Sequence, residues 1–263
     1  DSDELTQILA RQAAGELDIG GTSAGAAVQS GGRLLNAEPV NPMITAGSAH
    51  DALVNGYDSG NHEATGGMGT FPWGVTDTHF SERARETRLI RLVEQAGVRF
   101  GFGVDETTAL SVAEHDEDGT VQVVMAVSGA GGVYIVDAEE LVTTTDEPFE
   151  ANGVITHYLT EGDRFIWYPA TETYDIHFAD GATPLVLDQD PAVGATDDDV
   201  LYEDHYRTWV RNTLVAGETG ATATSYENNP QYTLTVSAEA TTSAVQKGDQ
   251  VSYQHLILDI AHD

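Results

Sequence analysis

From Gly20 to Val28 the chain reads Gly-Gly-Thr-Ser-Ala-Gly-Ala-Ala-Val, nine residues of which none is larger than valine or threonine. Such a stretch limits what can surround it. Its glycines permit a tight turn, and its alanines let a helix approach its neighbours closely. Leu17-Asp18-Ile19, just before it, reads as a short strand. Together they predict a strand turning sharply into a small-residue helix over 24–31, packed on a sheet. A serine at the tip of such a turn is where many hydrolases hold their nucleophile. A tight turn under a close-packed helix needs the same small residues, so the turn alone leaves both readings open.

The segments that follow extend this pattern. Residues 1–4, Asp-Ser-Asp-Glu, open a helix with Glu4 placed as in a capping box, and Leu5, Ile8 and Leu9 give it an apolar stripe ending near Gly15. Residues 36–70 are rich in Gly, Asn, Pro and Ser and read as loop. A helix is expected over 81–96, with Leu89, Ile90, Leu92 and Val93 inward and Gly97 as its stop. Strands are expected over 99–104 and 108–112, then a hairpin turn at Asp118-Gly119, then strands over 121–125 and 132–136. This order predicts an α/β sheet with an antiparallel annex. Beyond residue 145 the pattern changes: 164–169, 172–178, 184–188, 231–238 and 250–260 alternate as strands, and one amphipathic helix is expected over 199–214. The expected organisation is therefore an α/β unit over 1–145 and a β-rich extension with one helix over 146–263.

Charge narrows the function classes. Forty-three acidic residues face eleven basic ones, a formal net charge of −32, and Lys247 is the one lysine. Such a polyanion does not bind nucleic acid by neutralising phosphates. Its self-repulsion is screened within about 3 Å at 1 M salt. With the acids spread along the whole chain, this reads as the surface of a halophile's protein; an ordinary acidic secreted protein is the alternative. No run approaches the ~20 apolar residues of a membrane-spanning helix. Absence of cysteine excludes disulfides, thiolate metal sites and cysteine nucleophiles. The acidic clusters Asp188/Asp190 and Asp197–Asp199 lack calcium-loop spacing and read as solvated turns.

Ser23 needs a base to take its proton, and that base needs an acid to orient it. Of nine histidines, His79 is best placed, at the mouth of a helix with three arginines behind it. His50, His62 and His115 lie in loop or hairpin and read as surface residues; His255 and His262 lie in a C-terminal strand and read as structural. Asp105 and Glu106 end the strand before Thr107, and since strand neighbours point to opposite faces, physical reasoning does not choose between them. Arg83, Arg85 and Arg88 crowd six residues of an acidic chain. Either they form surface ion pairs with Glu82 and Glu86, or some of them grip a substrate carboxylate. Asp77 either meets a substrate cation or caps the helix.

The segments GGTSAGAAV, DTHFSERARETRL and GFGVDETTAL, in this order, resemble the three signature segments of the cyanophycinase and aspartyl-dipeptidase (dipeptidase E-like) family of serine peptidases. The likeness runs over residues 3–145, more weakly through 119–136. It implies a Rossmann-like (class I glutamine amidotransferase-like) sheet with a nucleophile elbow. It also implies Ser23 as nucleophile, His79 as general base, Glu106 as the acid that orients it, and the N–H of Ala24 as an oxyanion donor. No metal or cofactor is implied. The implied substrates are aspartyl peptides, including the β-linked aspartyl–arginine polymer cyanophycin, with Asp77, Thr78, Arg83, Arg85 and Arg88 as substrate-binding candidates.

Three features depart from that family. Its N-terminal strands, which precede the elbow, are absent from this chain, so a separate N-terminal chain or segment is expected to complete the sheet. Thr78 stands where cyanophycinases tend to carry glutamine. The extension after 145 has no counterpart, and a homodimer or larger oligomer is expected to use it. The competing expectation is a non-catalytic structural or assembly protein on a degenerate peptidase fold. Secretion is the expected localisation, with the cytoplasm of a halophile as the alternative.

Overall fold

A computed structural model describes residues 2–30, 43–44, 47–59, 62–63, 66–144, 148–190 and 196–263. In chain order the helices are α1 (Asp3–Ala13), α2 (Ala24–Ala27), α3 (Ala49–Asn55), α4 (Glu86–Ala96) and α5 (His205–Val215). The strands are β1 (Met43–Ile44), β2 (His62–Glu63), β3 (Val75–Thr78), β4 (Phe100–Val104), β5 (Thr108–Glu117), β6 (Thr120–Gly129), β7 (Val133–Asp137) and β8 (Val142–Thr143). They continue as β9 (Ala151–Leu159), β10 (Arg164–Tyr168), β11 (Thr173–His177), β12 (Thr183–Pro184), β13 (Gly220–Thr224), β14 (Tyr232–Lys247) and β15 (Gln250–His262).

The protein is mixed α/β with a large mixed sheet and few helices. Its main sheet runs β12-β14-β15-β9-β7-β4-β3, with β13 added on β14 and β8 on β9. The pairing of β3 with β4 is parallel, as their connection through α4 requires, and the other pairings of the main sheet are antiparallel. A second sheet, β11-β10-β6-β5, is the expected annex, and the Asp118-Gly119 turn joins its β5 and β6. The change of pattern at residue 145 falls between β8 and β9, which are neighbours in one sheet.

Alternation in β4 explains how the layers meet. Phe100 and Phe102 point to the face covered by the second sheet, where they pack with Val123, Met125, Ile135 and Phe165. Gly101 and Gly103 point to the other face. A Cβ on Gly101 would fall within 2.9 Å of Leu89 and Val93 of α4, and one on Gly103 within 2.4 Å of the Phe80 ring. The Phe-Gly-Phe-Gly run therefore lays aromatics against a sheet on one side and lets a helix settle onto bare backbone on the other. Each fully buried aromatic contributes about 1.5–3 kcal/mol relative to exposure. The helix face of the sheet continues under α5, where Tyr206, Trp209, Val210 and Leu214 pack with Tyr134, Val236 and Leu258 in the same core.

Several local expectations differ from the structure. Leu17–Ile19 is irregular, with no ladder partner among the described residues. Helix α2 stops at Ala27, short of the expected 31, because Gln29 and Ser30 turn away to bond Phe71 and Gly67. Residues 36–70 hold helix α3, which Ser48 caps by accepting from the Asp51 N–H and which buries Ala52 and Leu53. Ser2 caps α1; Asp1, the other half of the expected capping box, lies outside the described residues. The helix expected over 81–96 is split into a short 3-10 turn, Ser81–Arg83, and α4, with left-handed Ala84 between them. The helix expected from 199 begins only at His205, after a left-handed Asp204. The strand expected over 184–188 is limited to Thr183–Pro184.

Candidate active site

Ser23 sits at the N-terminus of α2 with φ 53° and ψ −126°, a conformation that L side chains rarely adopt. The turn is possible because Gly21 has no side chain: a Cβ there would lie 1.9 Å from the Gly25 carbonyl oxygen. Behind it, Ser30 accepts from the Thr76 N–H at 2.6 Å, and the Thr76 hydroxyl donates to the Ala26 carbonyl at 3.1 Å. These bonds anchor the turn to the edge of β3.

His79 follows the last residue of β3, and Glu106 lies two residues beyond β4, so both sit at the C-terminal ends of this parallel strand pair. Crevices at this end of α/β sheets are the usual place for ligands. His79 Nε2 lies 2.8 Å from Ser23 Oγ, and His79 Nδ1 lies 2.8 Å from Glu106 Oε1. With the carboxylate accepting from Nδ1–H, Nε2 is left free to accept the serine proton. A hydroxyl, an imidazole and a carboxylate in this order can generate an alkoxide-like nucleophile and carry its proton to a leaving group. His79 itself has φ 49° and Thr107, next to Glu106, has φ 57°. Three non-glycine residues in or beside one hydrogen-bond chain are thus held in strained backbone, a situation that persists only where surrounding bonds overdetermine it. The side chains of His79 and Glu106 are 27% and 49% exposed, so the chain of bonds opens to solvent.

The pleat separates the two carboxylates that sequence reasoning left undecided. Glu106 turns out to His79, while Asp105 turns inward. One Asp105 oxygen accepts from the Ser81 N–H at 3.0 Å. The other accepts from the Gly132 N–H at 3.2 Å, from the Tyr158 hydroxyl and from Arg207 Nη1 at 2.8 Å.

Two of the three arginines are taken up by Asp77. Arg88 is 1% exposed, and its Nε and Nη2 donate to the carboxylate of Asp77 at 2.7–3.0 Å. Its Nη1 donates to the Gly47 carbonyl at 2.7 Å. Arg85 Nη1 donates to the same Asp77 at 3.1 Å and to the Thr78 carbonyl. Burial is the main influence lowering the Arg85 pKa, and Asp77 opposes it. Asp77 is buried between the two cations and also accepts from the Thr78 N–H. Buried against each other, Asp77 and Arg88 brace the strand end that carries His79. Thr78 is buried as well, whereas Arg83 projects from the turn after His79 and is exposed. An arginine cluster in a sequence reads the same whether it is solvated or built around one buried acid, so the sequence carried no signal for this.

Sequence reasoning offered Glu86 only as a surface partner of the arginines, and the structure buries it instead. It is 3% exposed and lines a cavity of about 280 Å³ with Tyr134, Tyr158, Tyr206 and Tyr253. Burial holds its carboxyl well above the usual range, and the charge of Asp105 adds to this. Between the unfolded carboxyl's pKa, about 4.3, and the higher folded value, the native state holds a proton that the unfolded chain has lost. Stability therefore falls as pH rises through that window. Glu86→Gln is expected to raise the melting temperature by a few degrees at pH 8 and by less at pH 5. Melts of both proteins at the two pH values check this; a gap independent of pH would contradict it.

Among the described residues no three metal-ligating side chains converge, and no helix is long and apolar enough to cross a membrane. No protein-family model matches the chain. Curated relatives do. It is 32% identical over 183 residues to cyanophycinases of Trichormus variabilis and of Nostoc sp., a match taking in 67% of this chain and 54% of each relative. A cyanophycinase of Geminocystis herdmanii is 31% identical over 175 residues, 63% of this chain and 55% of that protein. The chain thus spans about half the length of the curated relatives it matches. This likeness, which several cyanophycinases share, supports a cyanophycinase-like peptidase family for the chain.

Proposed function

We propose that this chain carries the reacting groups of a serine peptidase that hydrolyses aspartyl peptide bonds, with β-linked aspartyl–arginine chains as its substrate class. The observation that carries the reading is the continuous hydrogen-bond chain from Ser23 through His79 to Glu106, set on a strained turn. In this reading Ser23 Oγ attacks the amide carbonyl while His79 Nε2 takes its proton. Glu106 stabilises the imidazolium, and the Ala24 N–H, at the head of α2, donates to the oxyanion. His79 returns the proton to the leaving amine, and water then releases the acyl group from Ser23. Arg83 is the arginine left to meet a substrate carboxylate.

Acyl transfer needs a site from which water is partly excluded, and His79 and Glu106 are open to solvent. We therefore include in the proposal a further segment or partner chain that covers the crevice above Ser23 and completes the Rossmann-like sheet.

The test is hydrolysis of α- and β-linked aspartyl dipeptides and of cyanophycin by the native protein in molar salt, with Ser23→Ala as control. Release of product that depends on Ser23 is expected; well-folded protein without hydrolysis would favour the assembly role instead. The net charge of −32 also supports a salt-adapted surface. The melting temperature is expected to rise between about 0.1 and 2 M salt as self-repulsion is screened, and equal melts at both would reject salt adaptation.

A further inference from the structure

We infer that Arg207, on helix α5 and far along the chain from the three motifs, is a positioning residue for the Ser23–His79–Glu106 chain. This rests on the peptidase reading above. Arg207 touches none of the three. Its Nη1 donates to Asp105 at 2.8 Å and lies 3.6 Å from Glu82 Oε1, and its Nη2 pairs with Asp204.

Those acids hold the two turns that carry the site. Asp105 accepts from the Ser81 N–H, which fixes the turn that begins at His79. Glu82, on that same turn, accepts from the Glu106 N–H at 3.1 Å. The Asp204 N–H donates to the Ser81 carbonyl at 2.7 Å. Asp105 and Glu82 thus cross-link the His79 turn to the Glu106 turn, while Asp204 fastens the first of them to α5.

Two carboxylates at such close quarters repel each other. Burial and the charge of Asp105 both push the Glu82 pKa up, and Arg207 opposes them. Without the guanidinium, the acids that join the turns would drive them apart, and His79 and Thr107 would be free to relax from their left-handed backbone. The distance from His79 to both of its partners would then lengthen. One cation bridging three acids is work for a planar, multiply donating guanidinium, which a lysine does not reproduce.

The experiment compares wild type, Arg207→Ala, Arg207→Gln and Arg207→Lys in the same assay, alongside the low-field proton resonance of His79 Nδ1–H. Arg207→Ala is expected to lower kcat about 10- to 100-fold, the scale of a modest misplacement of reacting groups, with KM within about twofold. The low-field resonance should broaden or disappear. Millimolar guanidinium is expected to restore much of both, because Arg207 lines the cavity of about 280 Å³ and its loss leaves room there. Arg207→Lys should recover only part of the rate. If Arg207→Ala fails to fold, Arg207→Gln keeps the aliphatic stem and gives the same readouts.

Unchanged kcat and an unchanged resonance in a folded variant would overturn the inference. Loss of rate that tracks loss of fold, with no rescue by guanidinium, would do so too. If wild type shows no Ser23-dependent hydrolysis while the resonance still depends on Arg207, the peptidase reading fails and the positioning role stands.

Discussion

Ser23→Ala is expected to lower kcat about 10⁶-fold while leaving the melting temperature nearly unchanged. Losing the nucleophile of a serine–histidine–acid set removes most of the chemical acceleration and leaves only what binding and the oxyanion donors supply. At about 1.36 kcal/mol per tenfold, this is about 8 kcal/mol of transition-state stabilisation. The fold is spared because alanine keeps the same backbone requirement at φ 53° and loses one exposed hydroxyl. His79→Ala should cost about as much, and the double variant hardly more, because the groups act as a unit. Glu106→Gln, which keeps the shape but not the charge that orients His79 Nδ1–H at 2.8 Å, should cost about 10⁴-fold. Steady-state kinetics on the four proteins test the set. A Ser23→Ala variant retaining more than about 1% of wild-type kcat would remove Ser23 from the mechanism.

The largest effect on stability is expected at Asp77. Its carboxylate is nearly fully buried and answers the buried guanidinium of Arg88 and the partly buried one of Arg85, as well as the Thr78 N–H. Removing one partner of a buried ion pair typically costs about 3–5 kcal/mol, because the charge left behind has neither water nor a counter-ion. Asp77→Ala leaves one such charge on Arg88 and a second, partly buried one on Arg85, so the upper end of that range is expected. For a chain of this size each kcal/mol corresponds to about 2–4 °C in melting temperature, which puts the fall at about 10 °C or more. Asp77→Asn keeps the shape and part of the hydrogen bonding and should fall less. Replacing Asp77 and Arg88 together by leucine and methionine should recover part of the loss, since a buried pair exchanged for apolar side chains is often tolerated. Calorimetry on the variants checks the order. An Asp77→Ala protein melting within about 2 °C of wild type would show that the pair is solvated.

What could be read in advance follows physical lines. The groups around Ser23 could be picked out because a small-residue turn into a helix, a histidine before a helix and an acid after a strand are local patterns. The choice between Asp105 and Glu106 depended on the phase of one pleat at the end of β4, which the spacing of residues does not give. Helix α3 was hidden in a stretch whose Gly, Asn and Pro content reads as loop, since Ala52 and Leu53 acquire their meaning only from burial against the core. Leu17–Ile19 has the composition of a strand, but a strand exists only where another supplies its ladder. The joining of β9, β14 and β15 to the strands before residue 145 is long-range pairing, and neither it nor the contact of Arg207 with Asp105 leaves a mark in local sequence.

The left-handed backbone at residues 23, 79 and 107 bears on how this protein would respond to selection for robustness alone. Glycine is the residue most at ease in such geometry, so Ser23→Gly, His79→Gly and Thr107→Gly are substitutions by which a stability screen could gain. Two of the three would delete a member of the hydrogen-bond chain. A search guided by melting temperature would therefore drift toward a sturdier, inert protein, because at these positions the comfortable residue and the reactive one differ.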